Sequence, residues 1–91
     1  MAVRRLKIEV FEGKKPRKGG PAQWFFHLLW KNGRVAVVSE GYVRFTQAFK
    51  HAAQMYDAML PGVVLVVPEA KITYLRKWAE KREQQQRFDQ R

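Results

Sequence analysis

The chain has 91 residues, no Cys, and 18 Lys+Arg against 8 Asp+Glu, for a formal net charge of +10. That length supports one domain with one modest core. The missing cysteines exclude disulfides, thiolate nucleophiles and cysteine-based zinc or iron–sulfur sites. At 46% hydrophobic residues the chain is too apolar to be disordered throughout, and no run approaches the roughly 18 apolar residues of a membrane span. The basic N-terminus lacks a signal-type hydrophobic region, so a small, soluble, cytoplasmic domain with no membrane partner is expected.

Leu6, Ile8 and Val10 alternate with Arg5, Lys7 and Glu9, which predicts a half-buried strand over residues 4–11. GKKPRKGGPA (13–22) reads as a loop, from its Gly, Pro and four cations. A second strand over 23–31 runs into Asn32-Gly33, and a third returns over 34–39; the Asn-Gly pair predicts a two-residue turn. In that register Lys31 faces Arg34, Trp30 faces Val35, Leu28 faces Val37 and Phe26 faces Ser39. One face then carries Trp24, Phe26, Leu28, Trp30, Val35 and Val37, and the other Phe25, His27, Leu29, Ala36 and Val38. Both faces are apolar, so the second needs a cover: the C-terminal elements, or a second subunit.

Thr46 is placed to cap a helix running to about Leu60, whose stripe is Phe45, Ala48, Phe49, Ala52, Tyr56, Met59 and Leu60. Pro61-Gly62 ends it. Val63–Val67 reads as a short, fully buried strand. Pro68 and Glu69 suit the first turn of a second helix, with Ile72, Leu75 and Ala79 inward and Tyr74 and Trp78 at its flanks. Residues 1–79 form a single α+β domain in this reading, and 80–91 a polar helix end or mobile tail. The fold class is β-β-β-α-β-α: a three-stranded antiparallel sheet with a helix across one face, then an extra strand and a C-terminal helix.

The stretch QWFFHLLWKNGRVAVVSEGYVRFTQAFKHAAQM resembles the YegP-like family of small bacterial domains. Its landmarks here are Trp24, Asn32, Gly33, Ser39, Glu40, Gly41 and Tyr42, and the likeness covers about residues 6–58. The resemblance implies the three-stranded sheet with its helix, assembled in pairs, and little about activity. Where family members tend to carry Arg or Lys along the second strand, this chain has Phe25, His27 and Leu29.

No catalytic set is legible. His27 and His51 fall on different elements without carboxylate partners at ligand spacing, so neither a metal nor a cofactor is expected. Ser39, Thr46 and Thr73 have structural roles as strand end, cap and helix-surface residue. Glu40 is read as bridging nearby amides, with Gly41 supplying an unusual backbone angle. GKKPRKGG lacks the strand and helix context of a phosphate loop.

Charge is the remaining signal. Residues 1–20 carry +5 and residues 71–91 carry +4, around a nearly neutral middle. The leading expectation is a non-catalytic binding protein that meets nucleic-acid phosphates through Lys14, Lys15, Arg17 and Lys18 in the first loop and Arg76, Lys77, Lys81 and Arg82 on the last helix. Phe25, Tyr74 and Trp78 are the candidates for base stacking; Trp24, Phe26 and Trp30 are assigned to the core. The alternative is a protein-interaction module, such as a phage-type accessory protein or inhibitor, docking on an acidic protein. Phe25, His27, Leu29 and Val38 are the residues expected to make a homodimer.

Overall fold

The computed structural model describes residues 6–14 and 19–89, with side chains through Gln84. Four strands and two helices follow in order: β1 (Leu6–Glu12), β2 (Trp24–Leu29), β3 (Val35–Val38), α1 (Phe45–Met59), β4 (Val63–Val66), a 3₁₀ turn (Glu69–Lys71) and α2 (Ile72–Asp89). The class is α+β, as expected, but the sheet is mixed and has four strands in the order β3-β2-β1-β4. The β3-β2-β1 part is antiparallel. β4 adds to the far edge of β1 in parallel, from Leu6↔Val63 to Glu9↔Val66. β1 is thereby central, and its Ile8 and Val10 are sealed from solvent.

The β-branched run of β4 does not make it a fully buried strand. It lies at an edge, with only Val63 buried and Val64 and Val66 half-exposed on the side away from α1. A short run of valines suits either position, and only the pairing partner decides between them.

α1 lays Phe45, Ala48, Phe49, Ala52 and Ala53 on Ile8, Val10, Phe26, Leu28, Val63 and Val67. The alanines remove side-chain bulk where the helix meets the sheet, so Ala48 and Ala52 reach zero exposure. The helix starts at Phe45 with Arg44 at the cap position, two residues before the expected cap, Thr46. Instead the Arg44 N–H donates to Gln47 Oε1 (3.3 Å), tying off a free donor at the helix N-terminus.

α2 does not cover the second face of the sheet. It runs beside α1 on the same side, with Tyr74 edge-on to Phe45 and Phe49, and Trp78 edge-on to Phe49 and Tyr56. Ring edges on ring faces are the favoured aromatic geometry; Trp78 is half-buried by this packing, whereas Tyr74 remains 41% exposed. Lys71, just before α2, lies over the rings of Trp24 (5.7 Å) and Phe45 (5.2 Å).

The hairpin departs from expectation at its tip. The Trp30 N–H donates to the Arg34 carbonyl (2.8 Å) and the Gly33 N–H to the Trp30 carbonyl (2.9 Å). This is a three-residue loop, Lys31-Asn32-Gly33, with only Gly33 at positive φ (+85°). Asn32 instead accepts the Arg34 N–H through Oδ1 (3.0 Å). The register is offset by one at the loop and recovers past Ala36, so Leu29 faces Val35 while Leu28 faces Val37 as expected. Trp30, assigned to the core from its parity, is exposed at this tip. α1 contacts β1, β2 and β4 but not β3, so parity alone does not bury Trp30, Val35 or Val37.

Two substitutions test this account by chemical denaturation. Gly33→Val has open space around its new side chain, so its cost is backbone strain alone: at least about 1 kcal/mol, with Gly33→Asn costing less. Phe49→Ala removes the ring that joins α1, the sheet and α2, and should cost about 3–5 kcal/mol.

Candidate nucleic-acid interface

Of the eight cations expected to meet phosphate, Lys15, Arg17 and Lys18 lie outside the described residues. Lys14 is exposed just beyond β1, at the end of the sheet where β2 begins. Arg76, Lys77 and Lys81 are exposed on α2. The helical period turns these three away from the line of Leu75, Trp78 and Arg82 that faces the body of the domain. Arg82 does not belong with them. Its Nη2 pairs with Asp57 Oδ1 of α1 (2.5 Å), and its guanidinium lies 4.5 Å from the Trp78 ring centroid. Arg82 is a clamp between the helices, and its stem and plane are engaged before any ligand arrives. The sequence offered no local sign of this, because Asp57 and Arg82 meet only when α2 lies along α1.

The second sheet face is built from β1 and β2 residues that pair across the ladder: Phe11 with Phe25, Glu9 with His27, and Lys7 with Leu29. Phe11 stacks on Phe25 (5.8 Å between centroids) and tilts against His27 (4.6 Å). His27 Nε2 donates to Glu9 Oε1 (3.0 Å), so histidine and carboxylate satisfy one another across the strands. Val38, Val64 and Val66 extend the face on either side. Among the described residues neither helix covers it. Phe25, His27 and Leu29 are half-buried there by their neighbours, and Val38 is exposed. Phe11 and Glu9 complete this cluster. Their alternation in β1 already put them on this side, which is the signal that would have included them.

The Ser39-Glu40-Gly41-Tyr42 segment has a structural role. Ser39 Oγ accepts the Phe26 N–H (2.9 Å) and donates to the Glu40 carbonyl (2.9 Å). Trp24 and Tyr42 then exchange two backbone bonds (2.7 and 2.8 Å). It is the Glu40 carbonyl, not its carboxylate, that is engaged here. Gly41 has no left-handed backbone angle; a side chain there would press on Gln23 and approach the Phe25 ring at 3.2 Å. The glycine serves close approach. His51, on the exposed side of α1, stacks on Tyr42 at 5.1 Å, far from the His27–Glu9 pair in chain and face. Among the described residues no group of three His, Asp or Glu could hold a metal ion. None of the helices there is long and apolar enough to cross a membrane.

A groove of about 510 Å³ runs between α1 and α2, with Phe49, Tyr74 and Trp78 at its apolar base and Lys50, Gln54 and Asp57 along its rim. Comparison of the chain with protein-family profiles, curated proteins and solved structures returned no match.

The clamp and the exposed cations should separate by stability. Arg82→Ala loses a half-exposed ion pair, a cation–π contact and stem packing, together about 1–2 kcal/mol. Lys77→Ala should change unfolding by no more than about 0.5 kcal/mol in the same urea titration.

Proposed function

We propose that this chain is a non-catalytic binding protein that engages nucleic-acid backbone phosphates, and that it shares ancestry with the YegP-like family it resembles. The observation that carries the reading is the placement of its charge. With +10 on 91 residues, Lys14, Arg76, Lys77 and Lys81 are exposed, and no ion pair to another described residue engages their side chains. Flexible cations on a stable domain position a polyanion without reading its bases. Arg82 leaves the proposed contact set because Asp57 and Trp78 engage it. Lys15, Arg17 and Lys18 remain in it on sequence grounds alone.

The second reading is a protein-interaction module that docks on an acidic protein. The open face around Phe25, His27 and Leu29 favours it, since that face offers apolar area rather than cations.

Salt dependence tests the first reading. If about five cations neutralise phosphates of a duplex, the log–log slope of affinity against salt should be near −4.5, a loss of roughly 500-fold between 50 and 200 mM. Arg76→Gln with Lys77→Gln and Lys81→Gln should flatten the slope by about 2–3 and weaken all sequences alike. Arg82→Gln should leave it unchanged. A protein that binds no duplex, single-stranded DNA or RNA at low salt would instead favour the acidic-protein reading.

A further inference from the structure

The packing of α2 on α1 leaves open the groove of about 510 Å³ on the side away from the sheet, a volume ordinary for clefts that take a small ligand. Of the rings at its base, Trp78 has the Arg82 guanidinium over it. Tyr74 is the free one: it lines the groove and stays exposed despite its edge-on contacts with Phe45 and Phe49. The charge around this ring has one sign. Lys50 stands on the α1 wall. On α2, Lys77 and Lys81 follow Tyr74 by three and seven residues, so the helical period sets them in a row beside Tyr74 and Trp78, on the side away from Leu75. Glu80 is turned about 120° from Tyr74, and Arg76 and Glu83 fall on the far side of the helix. Asp57 is the one acid lining the groove among the described residues, and Arg82 already pairs with it. Lys50, Lys77 and Lys81 are exposed and make no ion pair to another described residue.

We propose that the occupant of the α1–α2 groove is a single-stranded nucleic acid, with one base stacked on Tyr74 and the flanking phosphates at Lys50 on one rim and at Lys77 and Lys81 on the other. This rests on the nucleic-acid reading above and narrows it to unpaired strands. Charge complementarity selects a polyanion, and the aromatic base of the groove selects one with free π-faces. A duplex can bring phosphates to Lys77 and Lys81, but its bases stay inside the stack, out of reach of a ring set between two helices. An acidic peptide answers the cations alone. Thr46, Gln47 and Gln54 line the α1 wall with uncharged hydrogen-bonding groups, so the strand meets no unpaired acid there. Stacking accepts any base, and binding is therefore tolerant of sequence. DNA and RNA single strands offer the same phosphates and the same π-faces.

The test is fluorescence anisotropy of the intact chain with labelled strands of about ten nucleotides across a range of salt, with circular dichroism confirming that each variant is folded. The probes are oligothymidine DNA, oligouridine RNA, an abasic DNA strand with the same phosphates, and a duplex of the same length. Wild type should bind at least one base-bearing strand about 5- to 150-fold more tightly than the abasic strand, the worth of one stacked base. Which of the two it prefers tells DNA from RNA, and either supports the proposal. Tyr74→Leu, which keeps bulk without a ring, should bring the base-bearing strands down to the abasic level, and Tyr74→Phe should keep the preference. Lys50→Gln, Lys77→Gln and Lys81→Gln should each flatten the single-strand salt slope by about 0.7. Duplex and abasic strands bound as tightly as the base-bearing ones would overturn the groove and leave the phosphate reading standing. A folded Tyr74→Leu that keeps the full preference also overturns it. Failure of all four probes to bind at low salt removes both.

Discussion

Everything in this domain turns on how much sheet one helix can shield. α1 reaches β1, β2 and β4, and its Phe45 and Phe49 supply the rings on which α2 then rests. A helix is about 10 Å across and four strands span nearly twice that, so coverage runs out before the sheet does. β3 is the strand left uncovered. α2 does not remedy this, because the most favourable surface available to Tyr74 and Trp78 is the aromatic flank of α1 on the opposite side of the sheet from Phe25. The result is a two-layer molecule with both helices on one side, 53 Å in its longest dimension, with a radius of gyration of 14.7 Å against about 12 Å for a compact chain of this length.

That arrangement sorts the cations. Those on α2 that face away from α1 are free for solvent or a polyanion, whereas Arg82 lies on the inward line and is held by Asp57 and Trp78. Lys81 and Arg82 are adjacent in sequence, and a rotation of about 100° around the helix separates a side chain that holds the domain together from one that can meet a ligand. Charge counting treats the two alike, and only the packing of the helix tells them apart.

The legibility of the sequence follows the range of the interactions. Alternation in Leu6–Val10 and the helical stripe from Phe45 to Met59 are local signals, and both elements lie where their periods put them. Asn-Gly correctly marked a hairpin. Its loop length was not legible, because Asn32 gains more from bonding the Arg34 N–H than from a left-handed backbone. Non-local choices were not written in any window. Val63–Val66 has the same composition whether it lies inside a sheet or at its edge, and its parallel pairing depends on the free side of β1. Trp30 and Val37 have core parity yet no helix above them. Among the candidate contacts, exposure of Arg76, Lys77 and Lys81 was readable from their helical spacing, and the commitment of Arg82 was not.

The pairing of β4 is also the one that spans most chain in the sheet. β1, β2 and β3 pair with neighbours in sequence, whereas Leu6 meets Val63 across the whole hairpin and α1. Closing a loop of that span costs about 3–4 kcal/mol of chain entropy plus a constant, so the β1–β4 ladder gains most from a partner held ready by α1. Until then Ile8 and Val10 sit in a strand with one bare edge. On a ribosome, where β1 emerges before the other strands, the centre of the finished sheet is for a time its rim, and residues 63–66, the last of the four strands in the chain, seal it.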